Sequence, residues 1–173
     1  MRSVNITGKH NIDKINRIGN ESYQSIRKHM TNLDEMFYNN AKQFDILREL
    51  FIDETTDDPI KLLFKSELNH KIQGYKGQDI KKEIHNADTL INLEDVLEKI
   101  VASKLTCCYC NKPILVLYKN VREPLQWTLD RIDNDLNHTK ENTCISCLKC
   151  NLQRRVMDAD KFTFTKKLKI NKV

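Results

Sequence analysis

The chain has 173 residues, 39% of them hydrophobic and 31% charged, and a formal net charge of +5. No apolar run approaches the ~20 residues that a membrane-spanning helix needs, so a membrane-embedded protein is excluded and one domain, or one small domain with an appendage, is expected. The charge is uneven: residues 1–100 carry 15 Lys+Arg against 17 Asp+Glu, whereas residues 101–173 carry 14 against 7, a net of +7. A basic half joined to a nearly neutral one is the footprint of a polyanion partner, although a solvated basic surface reads the same way by charge alone. Met1-Arg2-Ser3-Val4-Asn5 has no apolar run behind it, so no secretory signal is expected and an intracellular protein is the reading.

The first hundred residues read as helices. Ile12, Ile15, Ile18, Tyr23, Ile26 and Met30 recur at helical spacing, and Asn32 followed by Glu35 reads as the capping box of a second helix. That helix would bury Met36, Phe37, Phe44, Leu47, Leu50 and Phe51. Asp58-Pro59 restarts the chain as an acidic cap with proline at the first helical position. Gly74 and Gly77 bracket Tyr75-Lys76 in an expected turn. The lysine-rich segment 71–82 reads as a solvated loop, or as a backbone-tracking one. Asn92 caps a last helix with Leu93, Val96, Leu97, Ile100 and Val101 as its stripe. His10, His29, His70 and His85 have no Cys or carboxylate constellation around them in sequence, and read as surface or packing residues.

All six cysteines lie between residues 107 and 150. Cys107-x2-Cys110 and Cys147-x2-Cys150 have the spacing at which four thiolates close a tetrahedron around Zn²⁺, and clustering in an intracellular chain favours metal over disulfides. In that register Cys108 and Cys144 remain as small packing residues; Cys144-x2-Cys147 is an alternative register. After the first knuckle, Ile114–Tyr118 reads as a short strand. Trp127–Ile132 alternates like a half-buried strand, Asp133–Asn142 is a surface loop, Thr143–Ser146 is a second strand, and a helix runs from about Leu148 to Met157. Asp130 at a strand end and Asn151 on that helix are oxygen donors suited to a hard cation, although Asp130 alone would serve equally as a turn cap.

The order Cys-x2-Cys, Leu129-Asp130-Arg131-Ile132-Asp133, Glu141-Asn142, Cys-x2-Cys-Asn151 resembles the HNH endonucleases of ββα-metal fold. It is closest to their zinc-stapled branch, which includes phage junction-resolving endonucleases. The run from Val121 to Arg155 is similar to small HNH proteins encoded by large DNA viruses. The resemblance covers about residues 100–165 and implies an α+β chain. A helical N-terminal region (1–100) would precede a zinc-stapled ββα-metal domain (101–165) and a basic tail (166–173).

The resemblance further implies Cys107, Cys110, Cys147 and Cys150 as structural zinc ligands, and Asp130 and Asn151 as ligands of a catalytic Mg²⁺ or Mn²⁺. Asn142 would tie down the long loop. The family's water-activating His after the metal-binding acid is here Arg131, whose pKa is far too high for a base. Arg131 is instead expected to clamp a phosphate oxygen. His138 is the only histidine of the second half and becomes the candidate base, a plain surface-loop residue being the alternative. Arg154 and Arg155 are expected at phosphates of DNA. The implied activity is metal-dependent hydrolysis of DNA phosphodiesters. The alternative is a zinc-stapled DNA-binding module with a decayed site. In either case the helical region would be a dimerisation or partner-docking element.

Overall fold

A computed structural model of the chain describes residues 5, 7, 8, 11, 12, 25–53 and 55–168. Within them lie α1 (Asn40–Ile52), α2 (Pro59–Lys81), α3 (Leu93–Ala102), β1 (Trp127–Arg131), β2 (Thr143–Cys147), α4 (Leu148–Arg154) and α5 (Ala159–Lys167). Short 3-10 turns at Lys28–Met30 and Glu35–Tyr38 precede α1. The architecture is therefore α+β, with a small antiparallel two-stranded sheet set among helices. Among the described residues no helix is long and apolar enough to cross a membrane.

Capping chemistry sets the helix starts. The Asp58 carboxylate accepts the Ile60 N–H with Pro59 in the first turn, and Asn92 accepts the Asp95 N–H, each satisfying a donor the helix cannot. Asn32 does not start a helix. Asp34 accepts the Met36 N–H and holds a 3-10 turn, the Tyr38 hydroxyl returns to the Met30 carbonyl, and α1 begins only after Asn39, which accepts from Lys42. Of the expected first helix, residues 13–24 lie outside the described residues. Ile26 pairs with Asn120 in an isolated bridge and Met30 is buried in a 3-10 turn.

Gly74 and Gly77 do not make a turn; both lie inside the 23-residue helix α2. Phe64, Leu68, Ile72, Tyr75 and Asp79 form one buried stripe at i, i+4 and i+3 spacing, and that burial outweighs the roughly 1 kcal/mol each glycine costs a helix. The segment expected as a lysine-rich loop is the C-terminal part of this helix, and Lys71 is largely buried. Ile114–Tyr118 is not a regular strand either. Leu115 makes a single bridge to Gln126, and the neighbouring backbone is satisfied by a side chain. Gln43, fully buried, accepts the N–H groups of Val116 and Leu117 and donates to the carbonyls of Leu117 and Phe37.

In the hairpin, Trp127 pairs with Cys147, Leu129 with Ile145 and Arg131 with Thr143. Every residue of β1 is buried, so the strand is covered on both faces rather than half-exposed. One apolar core runs from Met30 through α1, α2 and α3 to Trp127, Ile145 and Phe162. Helix α3 straddles residue 100, and its Lys99 ammonium donates to the Thr143 carbonyl, so the helical and cysteine-bearing parts share their packing.

Two outcomes follow. Gln43→Leu keeps the volume but strands three buried backbone groups, at about 1–3 kcal/mol each before relaxation, and the half-buried Phe37 carbonyl. Urea unfolding should show a loss of about 3 kcal/mol or more. Gly77 has open space where a Cβ would stand, so Gly77→Ala should stabilise the fold by about 0.5–1 kcal/mol in the same assay.

Candidate functional site

The Sγ atoms of Cys107, Cys110, Cys147 and Cys150 lie within 4.8 Å of one another, with Cys110 and Cys147 3.9 Å apart. Tetrahedral Zn–S bonds of about 2.3 Å place sulfurs roughly 3.8 Å apart, so the cluster fits a thiophilic ion such as zinc. The knuckle is pinned to the sheet by the Cys108 N–H, which donates to the Ile145 carbonyl at 2.9 Å. Cys147 ends β2 and caps α4, its sulfur accepting the Cys150 N–H. Burial, with the neighbouring Cys107 sulfur, pushes the Cys150 thiol up to about 12. Cys144 is outside the cluster: its sulfur faces that of Cys108 at 2.9 Å.

Immediately after Cys150, α4 presents Asn151 towards β1. The Asn151 amide nitrogen donates to Thr128 Oγ1 at 3.2 Å and to the Leu129 carbonyl at 3.3 Å, which leaves its own carbonyl oxygen as an acceptor. Asp130 sits on the adjacent strand position, buried. Its Oδ2 accepts from Tyr109 at 2.8 Å and Arg154 Nε at 2.7 Å, and its Oδ1 accepts Arg154 Nη2 at 2.9 Å. A carboxylate offers about four lone-pair directions, so one on Oδ1 is unspent.

Arg154 therefore differs from its expected role as a phosphate contact. It is 1% exposed, and its guanidinium is committed to Asp130 and to the carbonyls of Met157 and Arg131. The reason is local: α4 places residue 154 one turn after Asn151 on the face that packs against β1. Arg155, next along, is exposed in a left-handed backbone (φ +52°) and borders the cleft described below.

The loop between the strands is not a free surface loop. Asn142 accepts the Asp133 N–H and donates to the carbonyls of Asp133 and Asn137, clamping the loop upon itself. His138 is 3% exposed. Asp79 on α2 holds it twice: Oδ2 accepts the His138 backbone N–H at 2.9 Å, and Oδ1 meets imidazole Nδ1 at 2.7 Å. The Tyr75 ring stacks on the imidazole with centroids 4.7 Å apart. Burial lowers the His138 pKa below its ordinary value; Asp79 opposes this, and Arg131 and Lys82 add to it. Arg131, also buried, donates to the Leu136 carbonyl and lies 3.8 Å from Asp79.

A cleft of about 580 Å³ lies between α2 and the sheet with α4, and Asp130, Arg131, His138, Asn151 and Arg155 all border it. Its other wall, which the sequence reading did not anticipate, comes from His70, Lys71, Tyr75 and Gln78 of α2, with Arg27 beyond. Tyr75 accepts the Leu129 N–H through its hydroxyl. Lys71 donates to Gln126 and to the Trp127 carbonyl, and burial pushes its pKa down to about 7. The lysine spacing carries no signal for this, because Gly74 and Gly77 mask the helix that buries Lys71.

Comparison with protein-family models, with curated proteins and with solved structures returned no match.

Two measurements test the cluster and its neighbour. Elemental analysis of purified protein should find close to one zinc per chain, and Cys147→Ser should lose both the metal and the fold of the hairpin by circular dichroism. Arg154→Ala leaves Asp130 buried without its partner and should destabilise the chain by about 3–5 kcal/mol in chemical denaturation. A pure phosphate contact would instead leave stability unchanged.

Proposed function

We propose that this chain is a divalent-metal-dependent endonuclease of the HNH type, with the four-cysteine cluster as its structural zinc site and DNA as its substrate. The observation that carries the reading is that Asp130, Arg131, His138, Asn151 and Arg155, from a strand, a loop and a helix, all border one cleft. Asp130 Oδ1 and the Asn151 carbonyl oxygen are the donors that would hold Mg²⁺ or Mn²⁺, since hard cations take oxygen ligands. Such an ion supplies charge stabilisation at the phosphate and at the departing 3′ oxygen.

The chain's own groups do the rest. With Nδ1 committed to Asp79, His138 has Nε2 to accept a proton from the attacking water. Its lowered pKa keeps the imidazole neutral, and so competent as a base, at neutral pH. Arg131 cannot take a proton, but the donors it does not spend on Leu136 can meet a phosphate oxygen. Arg155 at the cleft rim is the remaining phosphate contact, and the +7 half supplies long-range attraction.

One observation favours the second reading, a zinc-stapled DNA-binding module without chemistry. The Asp130 carboxylate is braced by both Arg154 and Tyr109, which is a structural arrangement in its own right.

The experiment is incubation with supercoiled plasmid and branched DNA in Mg²⁺, Mn²⁺ or EDTA. Cleavage should require the divalent ion, and Asn151→Ala should abolish it while leaving binding intact, because the ion acts on the transition state. Asp130→Asn should do the same with less harm to the fold than Asp130→Ala. His138→Ala should slow cleavage by about 10²–10⁴-fold, and Arg131→Ala by less. The wild-type rate should rise with pH below 6.5 and level off by neutrality, as expected for a base whose pKa is depressed by burial. Arg155→Ala should weaken DNA binding and lower its salt dependence by about one counterion. Tight, salt-sensitive binding with no cleavage under any metal would select the binding module.

A further inference from the structure

We infer that Asp79, in the last turn of α2, is the positioning residue that sets the tautomer of His138 and aims its Nε2 into the cleft. Two donors face this one carboxylate. The His138 backbone N–H can only donate, and it occupies Oδ2 at 2.9 Å. Nδ1 lies 2.7 Å from Oδ1, and an ionised carboxylate can only accept, so the imidazole proton resides on Nδ1. The lone pair is then on Nε2, the nitrogen left for the cleft that His138 borders.

The rest of the surroundings hold the ring still. Tyr75, one turn before Asp79 on α2, stacks on the imidazole, and its hydroxyl is fixed by the Leu129 N–H. The His138 carbonyl accepts the Ile91 N–H at 2.8 Å, which anchors the loop from the other side. The charged groups that face the imidazole are Asp79 and Lys82 from α2 and its end, and Arg131 from β1. Asp79 is fully buried, and Arg131 supplies a nearby positive charge. The helical first half is thus part of the site.

An isosteric change separates this role from mere packing. In Asp79→Asn the single amide oxygen must accept the backbone N–H, which has no other state. The amide nitrogen then donates to Nδ1 and drives the imidazole proton to Nε2. An Nε2–H imidazole cannot accept a proton from water in the cleft, although the packing is nearly unchanged.

The test is the side-chain ¹⁵N spectrum of full-length, metal-loaded protein above pH 7, with His138 assigned by comparison with His138→Gln. Wild type should show the Nδ1–H tautomer and Asp79→Asn the Nε2–H tautomer, both with retained zinc content and melting behaviour. A wild-type Nε2–H tautomer, or an Asp79→Asn spectrum with the proton still on Nδ1, would overturn the assignment. The wild-type spectrum decides it even if the variant fails to fold. The catalytic consequence rests on the nuclease reading: Asp79→Asn should lower kcat by about 10²–10⁴-fold with KM little changed. Absence of cleavage by wild type would count against the nuclease and leave the tautomer result standing, so the two failures are distinguishable.

Discussion

Drawing Cys107 and Cys110 onto Cys147 and Cys150 is the constraint on which the site geometry rests. Two five-residue strands make an ordered sheet in water only with further support, and the clasp closes a loop of about 40 residues around them, a long loop whose closure entropy a bound metal would supply. Because Cys147 both ends β2 and caps α4, the clasp also fixes the angle at which the helix leaves the strand. Asn151 follows Cys150 directly, so its side chain is delivered to Thr128 and Leu129 of the neighbouring strand. The cysteine cluster and the Asn151 amide are thereby coupled through one turn of helix.

β1 is the wall between two buried ionic arrangements. On one side Asp130 meets Arg154 and Tyr109, and on the other Asp79 meets His138 with Arg131 beyond it. Buried charges are tolerated only when paired and hydrogen-bonded, and each of these carboxylates accepts at least two donors. The Asp130 pair braces α4 against the sheet. The Asp79 pair ties α2 to the strand-connecting loop. Asp130, Arg131 and His138 of these arrangements all border the cleft, so the elements that stabilise the fold also shape the site.

The helical first half is integral to this arrangement. α2 supplies Lys71, Tyr75 and Gln78 to one wall, and Gln43 on α1 satisfies the irregular chain at 116–117 that a partner strand would otherwise have to satisfy. A continuous core from Met30 to Phe162 couples the two halves mechanically. Removing α2 would take Tyr75 away from Leu129 of β1 and leave His138 without its carboxylate.

The amino-acid sequence by itself determined what depends on short spacing. The two Cys-x2-Cys pairs, the Asp58 and Asn92 caps and the strand–loop–strand–helix order were legible, because each is written in local spacing and pattern; the loop-clamping role of Asn142 came only with the family resemblance. The position of Asn151 after the last cysteine was legible for the same reason. Only the tertiary structure decided the run of α2 through Gly74 and Gly77, the inward turn of Arg154, the side-chain support of Ile114–Tyr118 and the meeting of Asp79 with His138. Those depend on contacts between distant segments, 59 residues apart for Asp79 and His138 and 24 for Asp130 and Arg154. Helix propensity and motif spacing carry no information about such pairs. Burial of the shared core is what draws them together, and only then do their charges and hydrogen bonds select a partner.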